Sequence, residues 1–375
     1  MRVLLAGAGH AHLGLLRHAR RLRAAGVDLS LISPPRFHYS GLATGILSGA
    51  LAPDAGEIDV ARLAADVGVA FHPSEVTAID REGRQITLED GTTLPWDALS
   101  LNIGSRTADL HALGGAAGVW AVKPLSQLLD LGRWLKAEIA LTGRCPALVV
   151  AGTGQAGIEV TAALVGLCER SGVTPRVTLV GPPPGGVWAP PAAIRSVVAA
   201  IERRGASVLD GTVVSRGERR CSLASGQEIG CDALVLATGL VAPRLAGGLG
   251  LPVDPDGRLM TLPTLQTTED ARIFATGDCA VGASDPRPCV GVFGVRASPV
   301  LAHNLAALAR GRPLRAFRPQ TTWLSIMDLG DGTGLALRGH AWWLGRLPLR
   351  LKRRLDLGFV ARARAAPVAG ERPDV

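Results

Sequence analysis

Residues 147–157 read ALVVAGTGQAG, and this stretch decides the fold. Five apolar residues lead straight into Gly152, Gly154 and Gly157, which is the spacing of a turn between a strand and a helix. The N-terminus repeats the construction, because residues 3–9 read VLLAGAG. Backbone N–H groups and a helix N-terminus point at one place in such a turn, so the turn is suited to binding pyrophosphate.

Each turn is followed, much later in the chain, by a second matching segment. Residues 97–104 read DALSLNIG, and residues 232–239 read DALVLATG. One glycine-rich turn is a weak signal, whereas two turns with matching later strands indicate two nucleotide sites that face each other. The sequence predicts a helix at about 11–24 after the first turn, and hairpin strands near 207–215 and 219–224 in the second unit. Short strands alternating with helices predict an α/β fold with two doubly wound, Rossmann-like domains. Two facing dinucleotides suit the transfer of electrons from one to the other.

The composition fits a chain with well-packed cores. Of the 375 residues, 47% are hydrophobic, which argues against disorder. No run of about 18 apolar residues is present, so we expect no membrane-spanning helix. His10 and His12 interrupt the N-terminal apolar stretch, which therefore does not resemble a signal peptide. We expect a cytoplasmic protein.

Most of the net charge of +8 belongs to the C-terminus. Residues 338–364 contain eight Lys and Arg against one acid, Asp356. The body has no basic stripe with interleaved aromatics, so nucleic acid is not an expected partner. The same segment carries Trp342, Trp343 and several leucines, a mixture typical of a helix lying on anionic lipid. A segment packed on the body with a solvated basic face is the alternative.

The six cysteines form neither a CxxC pair nor a zinc spacing. We therefore expect free thiols in a reducing compartment, with no structural disulfide and no metal site. His10 and His12 flank the first turn without further ligands nearby. A packing role, or a contact with phosphate or backbone, is the expectation for both.

A third block spans about residues 241–315 and contains ARIFATGD at 271–278, a strand that ends in Gly-Asp. A helix is predicted at about 294–310. We expect both ends of this block to return to the first unit, which makes the second unit an insertion in the first. The predicted domains are residues 1–115 with 241–315, residues 116–240, and a basic C-terminal region at 316–375.

Together these motifs resemble the flavoproteins with two dinucleotide-binding domains, the pyridine nucleotide–disulfide oxidoreductase superfamily. The resemblance covers about residues 1–315 and rests on GAGHAH at 7–12, GTGQAGIE at 152–159, ATG at 237–239 and TGD at 276–278. Within the superfamily, the chain looks most like type II NADH dehydrogenases and the flavoprotein domain fused to selenide, water dikinase. The resemblance implies FAD in the first unit and NAD(P)H in the second.

The implied FAD site departs from the family pattern at two positions. His12 takes the place of the third fingerprint glycine, and Ser33 stands where an acid would hold the adenosine ribose. A degenerate turn without ligand is the alternative, against which Asp278 is an independent signal. The residues implied at this site are Gly7, Gly9, His10, Ser33, Tyr39, Val76, Gly104, Gly277, Asp278 and Phe293.

The implied NAD(P)H site matches the fingerprint fully. The predicted strand at 176–180 ends at Gly181, without the acid that favours NADH or an arginine for a 2′-phosphate. A retained fold with a weak or lost site stays open as the alternative. The implied residues are Gly152, Gly154, Gln155, Gly157 and Gly239.

The catalytic candidates are Glu159, Lys123 and Cys289. The resemblance implies that Glu159 points toward flavin and nicotinamide, and that Lys123 in the hinge is a counter-ion near the flavin. A glutamate that merely favours the helix dipole and a solvated lysine are the alternatives. The CxxxxC of disulfide reductases is absent after the first unit, so no dithiol relay is expected. Cys289 and Cys279 are candidate redox thiols, with inert packing as the alternative.

We therefore predict an FAD-dependent, type II NADH dehydrogenase-like oxidoreductase. It would pass electrons from NAD(P)H through the flavin to a quinone-like or other small acceptor. The alternatives are a sulfur- or selenium-handling flavoprotein that uses Cys289, and a flavin- or nucleotide-binding protein without turnover. Residues 316–375 are a candidate membrane-interface or dimer segment, which would make the protein peripheral on the inner face of a membrane.

Overall fold

The computed structural model describes residues 1–108, 113, 117–185 and 188–365. Helices and strands alternate through most of this length. The elements up to residue 108 are β1 (Arg2–Ala6), α1 (His10–Leu16), α2 (Ala19–Ala24), β2 (Asp28–Ile32), β3 (Arg36–His38), α3 (Ala43–Leu47), β4 (Glu57–Asp59), α4 (Val60–Asp66), β5 (Ala70–His72), β6 (Val76–Asp80), β7 (Gln85–Leu88), β8 (Thr93–Pro95), β9 (Ala98–Leu101) and β10 (Arg106–Thr107).

The next elements build a second unit of the same kind. They are β11 (Val119–Ala121), α5 (Leu125–Thr142), β12 (Leu148–Ala151), α6 (Gln155–Arg170), β13 (Val177–Gly181), α7 (Pro191–Arg203), β14 (Ser207–Asp210), β15 (Val213–Arg216), β16 (Arg220–Leu223), β17 (Glu228–Gly230), β18 (Ala233–Leu236) and β19 (Leu240–Val241).

The remaining elements complete the first unit and form the C-terminal region. They are α8 (Arg244–Gly247), β20 (Leu259–Thr261), β21 (Ile273–Ala275), β22 (Ala280–Gly282), α9 (Gly291–Ala309), β23 (Ser325–Asp328), β24 (Gly334–Arg338), β25 (Ala341–Gly345) and α10 (Arg346–Arg364).

The first parallel sheet is built around β1. Its strands lie in the order β21-β9-β1-β2-β5, and each neighbouring pair is parallel. Val3, Leu5 and Ala6 of β1 have no exposed surface, as expected of a strand covered on both faces. β21 comes from the third block of sequence and pairs with β9. The chain therefore returns to the first sheet after the second one is complete.

The second parallel sheet repeats the first strand for strand. Its order is β11-β18-β12-β13-β14, so β12 corresponds to β1, β18 to β9 and β13 to β2. Each domain also carries an antiparallel meander at the matching place, β6-β7-β8 in the first and β15-β16-β17 in the second. The predicted α/β fold, with two doubly wound domains and the second inserted in the first, is confirmed.

The two connections between the domains pair with each other. β10 lies antiparallel to β19 through Thr107 and Leu240. The Lys123 N–H donates to Thr107 Oγ1 at 3.0 Å, and the Thr107 N–H donates to the Lys123 carbonyl at 3.3 Å. Lys123 therefore lies in the hinge itself.

Two elements differ from the sequence-based prediction. The helix expected at 11–24 is two helices, because His18 leaves helical geometry with φ −98° and ψ 3°. The strand expected at 207–215 is also two strands, since Gly211 with φ +149° turns the chain between them. β14 joins the parallel sheet, whereas β15 joins the meander.

Helix α9 is, among the described residues, the one helix long and apolar enough to cross a membrane by length and composition. No such helix was predicted. In the most apolar stretch of this helix, 56% of the stretch is buried inside the protein, and Leu301 and Leu305 are fully buried. Its contact with α1 is close, because a Cβ at Gly14 would lie 2.5 Å from the Ser298 hydroxyl. This burial is that of a core helix.

The C-terminal region is folded onto the body. β23, β24 and β25 form an antiparallel sheet, and α10 follows directly. Trp342 and Trp343 lie on β25 and not on the helix, which begins at Arg346. Leu349 and Val360 of α10 are buried, so one face of the basic helix is docked.

Candidate functional site

The first nucleotide turn approaches a neighbouring strand so closely that only glycine fits. Gly7 has φ +85°, and a Cβ there would lie 2.6 Å from the carbonyl oxygen of Asn102. A Cβ at Gly9 would collide with the side-chain oxygen of the same asparagine. The turn therefore presents bare backbone at the N-terminus of α1, as a pyrophosphate group requires.

The second turn repeats this geometry. Gly152 has φ +115°, and a Cβ there would collide with the carbonyl oxygen of Ala237, which is the counterpart of Asn102 in the strand register. Gly104 and Gly239 follow with φ +72° and +117°, and a Cβ at either would meet no atom within 4 Å. The repeated sequence segments therefore form the same turn geometry in both domains. In each domain, the second glycine, Gly104 or Gly239, faces open space.

Asn102 joins the parts of the first site, and its role was not predicted. Its Oδ1 accepts from the N–H groups of Ala11 at 3.0 Å and His12 at 3.3 Å, while its Nδ2 donates to the Thr276 carbonyl at 2.8 Å. The residue is buried. It fixes the start of α1 against the turn that carries Asp278. The available signal was a polar residue directly after a largely apolar strand.

His12 fills the position of the third fingerprint glycine. Its buried ring places Nδ1 2.6 Å from the Gly7 carbonyl and Nε2 2.8 Å from Ser100 Oγ. A carbonyl oxygen only accepts, so Nδ1 carries the proton and Nε2 accepts from the Ser100 hydroxyl. Burial lowers the pKa of His12 to about 4, so the ring is neutral near pH 7. The helix is therefore held by a hydrogen-bonded ring.

The Gly-Asp turn follows β21 at the carboxyl edge of the same sheet. Gly277 has φ +73°, and Asp278 accepts from Ser105 Oγ at 2.8 Å. Through Asn102, this turn and the first glycine turn lie side by side. Two glycine-lined approaches and an oriented carboxylate fit a cofactor that carries both a pyrophosphate and a polyhydroxyl chain, as FAD does.

A cleft of about 1030 Å³ opens at the second turn, and residues 152–156 form part of its lining. A Cβ at Gly154 would meet no atom within 4 Å, whereas a Cβ at Gly157 would collide with the Gly152 carbonyl. The three glycines therefore serve three purposes, namely the tight turn, the approach of a pyrophosphate, and the contact between helix and strand. The residues present fit NAD(P)H.

The ribose end of this cleft has a glycine where related folds have an acid. A Cβ at Gly181 would lie 2.8 Å from Thr153 Oγ1 and 2.9 Å from the Thr153 nitrogen. Thr153 Oγ1 donates to the Pro182 carbonyl at 2.7 Å, which fixes it in that place. Gln155 lines the cleft as well, but its side-chain amide donates to Ser325 Oγ of β23 at 2.9 Å.

His10 and Tyr39 lie in an aromatic group under α10. Their ring centroids are 5.4 Å apart, and Tyr39 stacks on Phe359 at 4.7 Å. Burial, assisted by the charge of Lys123, lowers the pKa of His10 to about 4. The Tyr39 hydroxyl donates to Asp356 Oδ1 at 3.0 Å. The C-terminal helix therefore contacts two of the residues predicted at the FAD site, and hinge Lys123 lies within electrostatic reach of them.

Ser33 follows one strand of the first unit, and Val76 begins another. Ser33 directly follows β2, next to the first turn, since the Gly7 N–H donates to the Ile32 carbonyl at 2.8 Å. Its buried hydroxyl donates to the Pro34 carbonyl at 2.8 Å, which leaves its oxygen free only to accept. Val76 begins β6 and is half-buried against the core.

A buried group of charges joins both domains to the C-terminal region, and we call Glu159, Asp328, Lys352 and Asp356 the Glu159 cluster. Glu159 Oε1 accepts from Thr44 Oγ1 and from the Asp328 N–H, both at 2.9 Å. Lys352 Nζ lies 3.0 Å from Asp356 Oδ2, and both side chains are 13% exposed.

The charges of the cluster shift the pKa of both central groups. Burial raises the pKa of Glu159, against the opposing effect of Lys352. Burial alone would lower the pKa of Lys352, but Glu159 and Asp356 outweigh it, so that pKa is raised. Glu159 is thus a largely buried carboxyl within electrostatic reach of the Lys352 ammonium, whose ion-pair partner is Asp356, and the sequence alone does not indicate that Lys352 lies nearby.

Cys289 lines a small cavity together with Asp278 and Phe293. Arg258 Nη1 lies 3.9 Å from its sulfur. Burial, assisted by Asp278, nevertheless raises the pKa of Cys289 to about 11, so little thiolate is present near pH 7. Cys279 is fully buried, and burial raises its pKa to about 12.

The protein has two glycine-rich turns suited to pyrophosphate, one in each of two domains with parallel sheets. The two connections between the domains pair through β10 and β19. These features define a protein that binds two dinucleotides and moves electrons between them. Within residues 1–108, 113, 117–185 and 188–365, no three His, Cys, Asp or Glu side chains gather as metal ligands.

Comparison with known proteins agrees with this class. The chain matches the family model described as pyridine nucleotide-disulphide oxidoreductase over residues 1–308. It is 30% identical over 368 residues to an NADH dehydrogenase-like protein of Mycobacterium tuberculosis, covering 93% of this chain and 85% of that protein. It is also 30% identical over 372 residues to a probable ferredoxin reductase of Castellaniella defragrans, covering 90% and 84%. The solved sulfide:quinone oxidoreductase of Aquifex aeolicus shares the fold, with TM-score 0.80 at 16% identity over 98% of this chain and 93% of that one.

The chain therefore belongs to the pyridine nucleotide–disulphide oxidoreductase family. Members of this family contain FAD and use NAD(P)H, and the protein is accordingly an NAD(P)H-dependent flavoenzyme. The turn at residues 7–9 with Asp278 fits FAD, and the cleft at residues 152–156 fits NAD(P)H. The predicted cofactors are confirmed.

Proposed function

We propose that the protein passes electrons from NAD(P)H, through FAD, to a quinone-like acceptor at a membrane surface. When bound, FAD supplies the capacity to accept a hydride from nicotinamide and to release electrons to a second partner. The observation that carries the proposal is the Glu159 cluster, which sets a buried carboxyl and a buried ammonium where the two domains meet the C-terminal region. A quinone needs protons as well as electrons, and this cluster can hold a proton.

The geometry of Glu159 assigns that proton to one atom. Both hydrogen bonds that Glu159 accepts end on Oε1, so the neutral carboxyl carries its proton on Oε2. Thr44 and the backbone of Asp328 fix the orientation of the group. Burial favours the protonated form, whereas Lys352 favours the carboxylate that remains after the proton has left. A group balanced in this way is suited to act as general acid toward an acceptor.

The outer face of α10 supports a membrane surface as the place of reaction. Leu347, Leu351 and Leu355 follow one another at intervals of four and are 54%, 43% and 49% exposed. Arg350 and Arg354 are exposed beside them. An exposed apolar row flanked by cations is typical of a helix that lies on anionic lipid.

Two alternatives compete with quinone reduction: a protein acceptor and sulfur chemistry. One relative is named a ferredoxin reductase, and the basic C-terminal region would also attract an acidic protein. Sulfur chemistry would use Cys289, whose raised pKa of about 11 leaves it a poor nucleophile at rest.

An anaerobic titration of the FAD-loaded protein separates these possibilities. We expect NADH or NADPH to bleach the visible flavin band, sulfide to leave it unchanged, and a soluble quinone to restore it faster than ferredoxin does. Bleaching by sulfide that Cys289→Ser abolishes would favour sulfur chemistry instead. Restoration by ferredoxin but not by quinone would overturn the proposal.

Vesicle binding tests the location. Leu351→Glu should weaken co-sedimentation with phosphatidylglycerol vesicles about tenfold, because it removes one apolar side chain from the lipid contact. Leu141 on α5 is 83% exposed, and Leu141→Glu is the matched control that should bind like the wild type. Equal binding by all three proteins would remove the membrane from the proposal.

A further inference from the structure

Two buried cysteines of the second domain meet in space although the sequence gives no sign of a pair. Cys145 precedes β12, and Cys168 lies in the last turn of α6. Their sulfur atoms are 3.1 Å apart, with the Cys168 thiol donating to the Cys145 sulfur. Both side chains are buried and both thiols are free. A bond between them would need a shift of about 1 Å to reach the disulfide length of about 2 Å.

The pair encloses the whole nucleotide turn. The chain between Cys145 and Cys168 comprises β12, the three fingerprint glycines and nearly all of α6. The cysteines lie at the end of this strand–turn–helix unit that is remote from the phosphate turn. A bond between them would therefore close the unit without entering the 1030 Å³ cleft.

We propose that Cys145 and Cys168 form a disulfide when a peroxide is present. This bond cross-links the two ends of the NAD(P)H-binding strand, turn and helix. The Cys145 sulfur attacks one peroxide oxygen and releases water, giving a sulfenic acid. The Cys168 sulfur then attacks the Cys145 sulfur and releases a second water. Two thiols and one hydrogen peroxide thus yield one disulfide and two waters.

The contacts of the pair assign the roles of the two sulfurs. The hydrogen bond from Cys168 lowers the pKa of the Cys145 thiol, and the same contact raises the pKa of Cys168. Cys145 is therefore the attacking thiol and Cys168 the resolving one. Cys145 also lies in a loop, where local opening admits a small oxidant more readily than it does inside α6.

The disulfide would stabilise the second domain, because it removes the freedom of a long loop from the unfolded chain. The midpoint of thermal unfolding should rise by several degrees on oxidation and fall back with reductant. The cleft stays open, so binding of NAD(P)H should persist in the oxidised protein.

Peptide mass spectrometry tests the proposal directly. Trypsin cuts after Arg144 and Arg170 and nowhere between them, so one peptide, residues 145–170, carries both cysteines. The FAD-loaded protein is treated with hydrogen peroxide, unfolded, alkylated and digested. We expect this peptide to lose two hydrogen atoms and to carry no alkyl group, and to carry two alkyl groups after reduction. A peptide with two alkyl groups, or with oxygen added at Cys145, would overturn the proposal.

Two variants show whether the partner is the one assigned. Cys168→Ala should leave Cys145 unable to close the bond and abolish the oxidative rise in the unfolding midpoint. Cys231→Ala removes another buried cysteine of the same domain and should leave the mass loss of the 145–170 peptide intact. Loss of the signal in Cys231→Ala alone would assign the bond elsewhere, while the wild-type peptide decides the matter even if Cys168→Ala folds poorly.

Discussion

Acidification should destabilise the first domain through His12, which is neutral and doubly hydrogen-bonded in the folded protein. Burial lowers its pKa from 6.5 to about 4. The unfolded chain therefore takes up a proton as the pH falls below about 6.5, while the folded chain does so only near pH 4. The stability contributed by the neutral ring is complete above pH 6.5 and is lost progressively between pH 6.5 and pH 4.

The size of the effect follows from the two pKa values. Between about pH 7.5 and pH 5, a group with this shift costs about 2 kcal/mol of the free energy of unfolding. The pKa of His10 is lowered in the same direction, so its protonation adds to the loss of stability over the same interval. Urea unfolding followed by tryptophan fluorescence measures this, since Trp96 is buried in the first domain.

His12→Asn isolates the contribution of one ring. Its side-chain amide can still donate to the Gly7 carbonyl, but it does not titrate. The variant should be less stable near neutral pH because Ser100 loses its acceptor, yet it should lose about 2 kcal/mol less than the wild type on acidification. His340→Asn, at an exposed site, is the control and should keep the wild-type pH dependence. An unchanged pH dependence in His12→Asn would refute the neutral, buried ring.

Two further predictions use matched pairs of variants. Gly154→Ala should leave the free energy of unfolding within about 1 kcal/mol of the wild type but raise KM for NAD(P)H about tenfold, because its Cβ enters the open cleft. Gly157→Ala should instead unfold at a lower urea concentration, since the Gly152 carbonyl occupies the place of its Cβ. Similar effects of the two substitutions on stability would contradict the assignment of Gly154 to cofactor binding and Gly157 to helix packing. Lys352→Met should destabilise the protein by about 3 kcal/mol and raise the pKa of Glu159 further, which moves the pH profile of quinone reduction to higher pH. Arg354→Met, at an exposed site of the same helix, is the control and should change neither stability nor the pH profile. A Lys352→Met variant that behaves like Arg354→Met would contradict the role assigned to the Lys352 ion pair.

The geometry of the two turns could be predicted from sequence because it depends on local sterics. Gly7 and Gly152 lie in matching sequence segments. A Cβ at either position would meet the carbonyl oxygen of the residue that follows the adjacent strand. Positive φ at Gly104 and Gly239 likewise follows from the repeated text. The bend belongs to one strand–turn–helix unit, and the strand that it faces is the second matching segment, so two short patterns carry these requirements.

The contacts that complete the site could not be predicted in the same way. Glu159 and Lys352 are separated by most of the second half of the chain, and Lys352 stands among exposed cations with nothing in the text to distinguish it. Which face of α10 is buried depends on how the helix docks against β23, β24 and the first domain. Trp342 and Trp343 were expected in the helix because composition alone does not separate a strand from the helix that follows it.

His12 and Gly181 both depart from the family pattern. In the sequence each is simply an unexpected residue, but the structure gives the two departures different physical consequences. At His12, a ring that donates to Gly7 and accepts from Ser100 replaces the close contact of a glycine, so the turn is preserved. At Gly181, a Cβ would lie 2.8 Å from Thr153 Oγ1 and 2.9 Å from the Thr153 nitrogen, so an acid at that position requires Thr153 to shift. Substituting an acid at 181 should therefore disturb the second turn as well as the preference for NADH. Discrimination between NADH and NADPH must come from other residues that line the cleft.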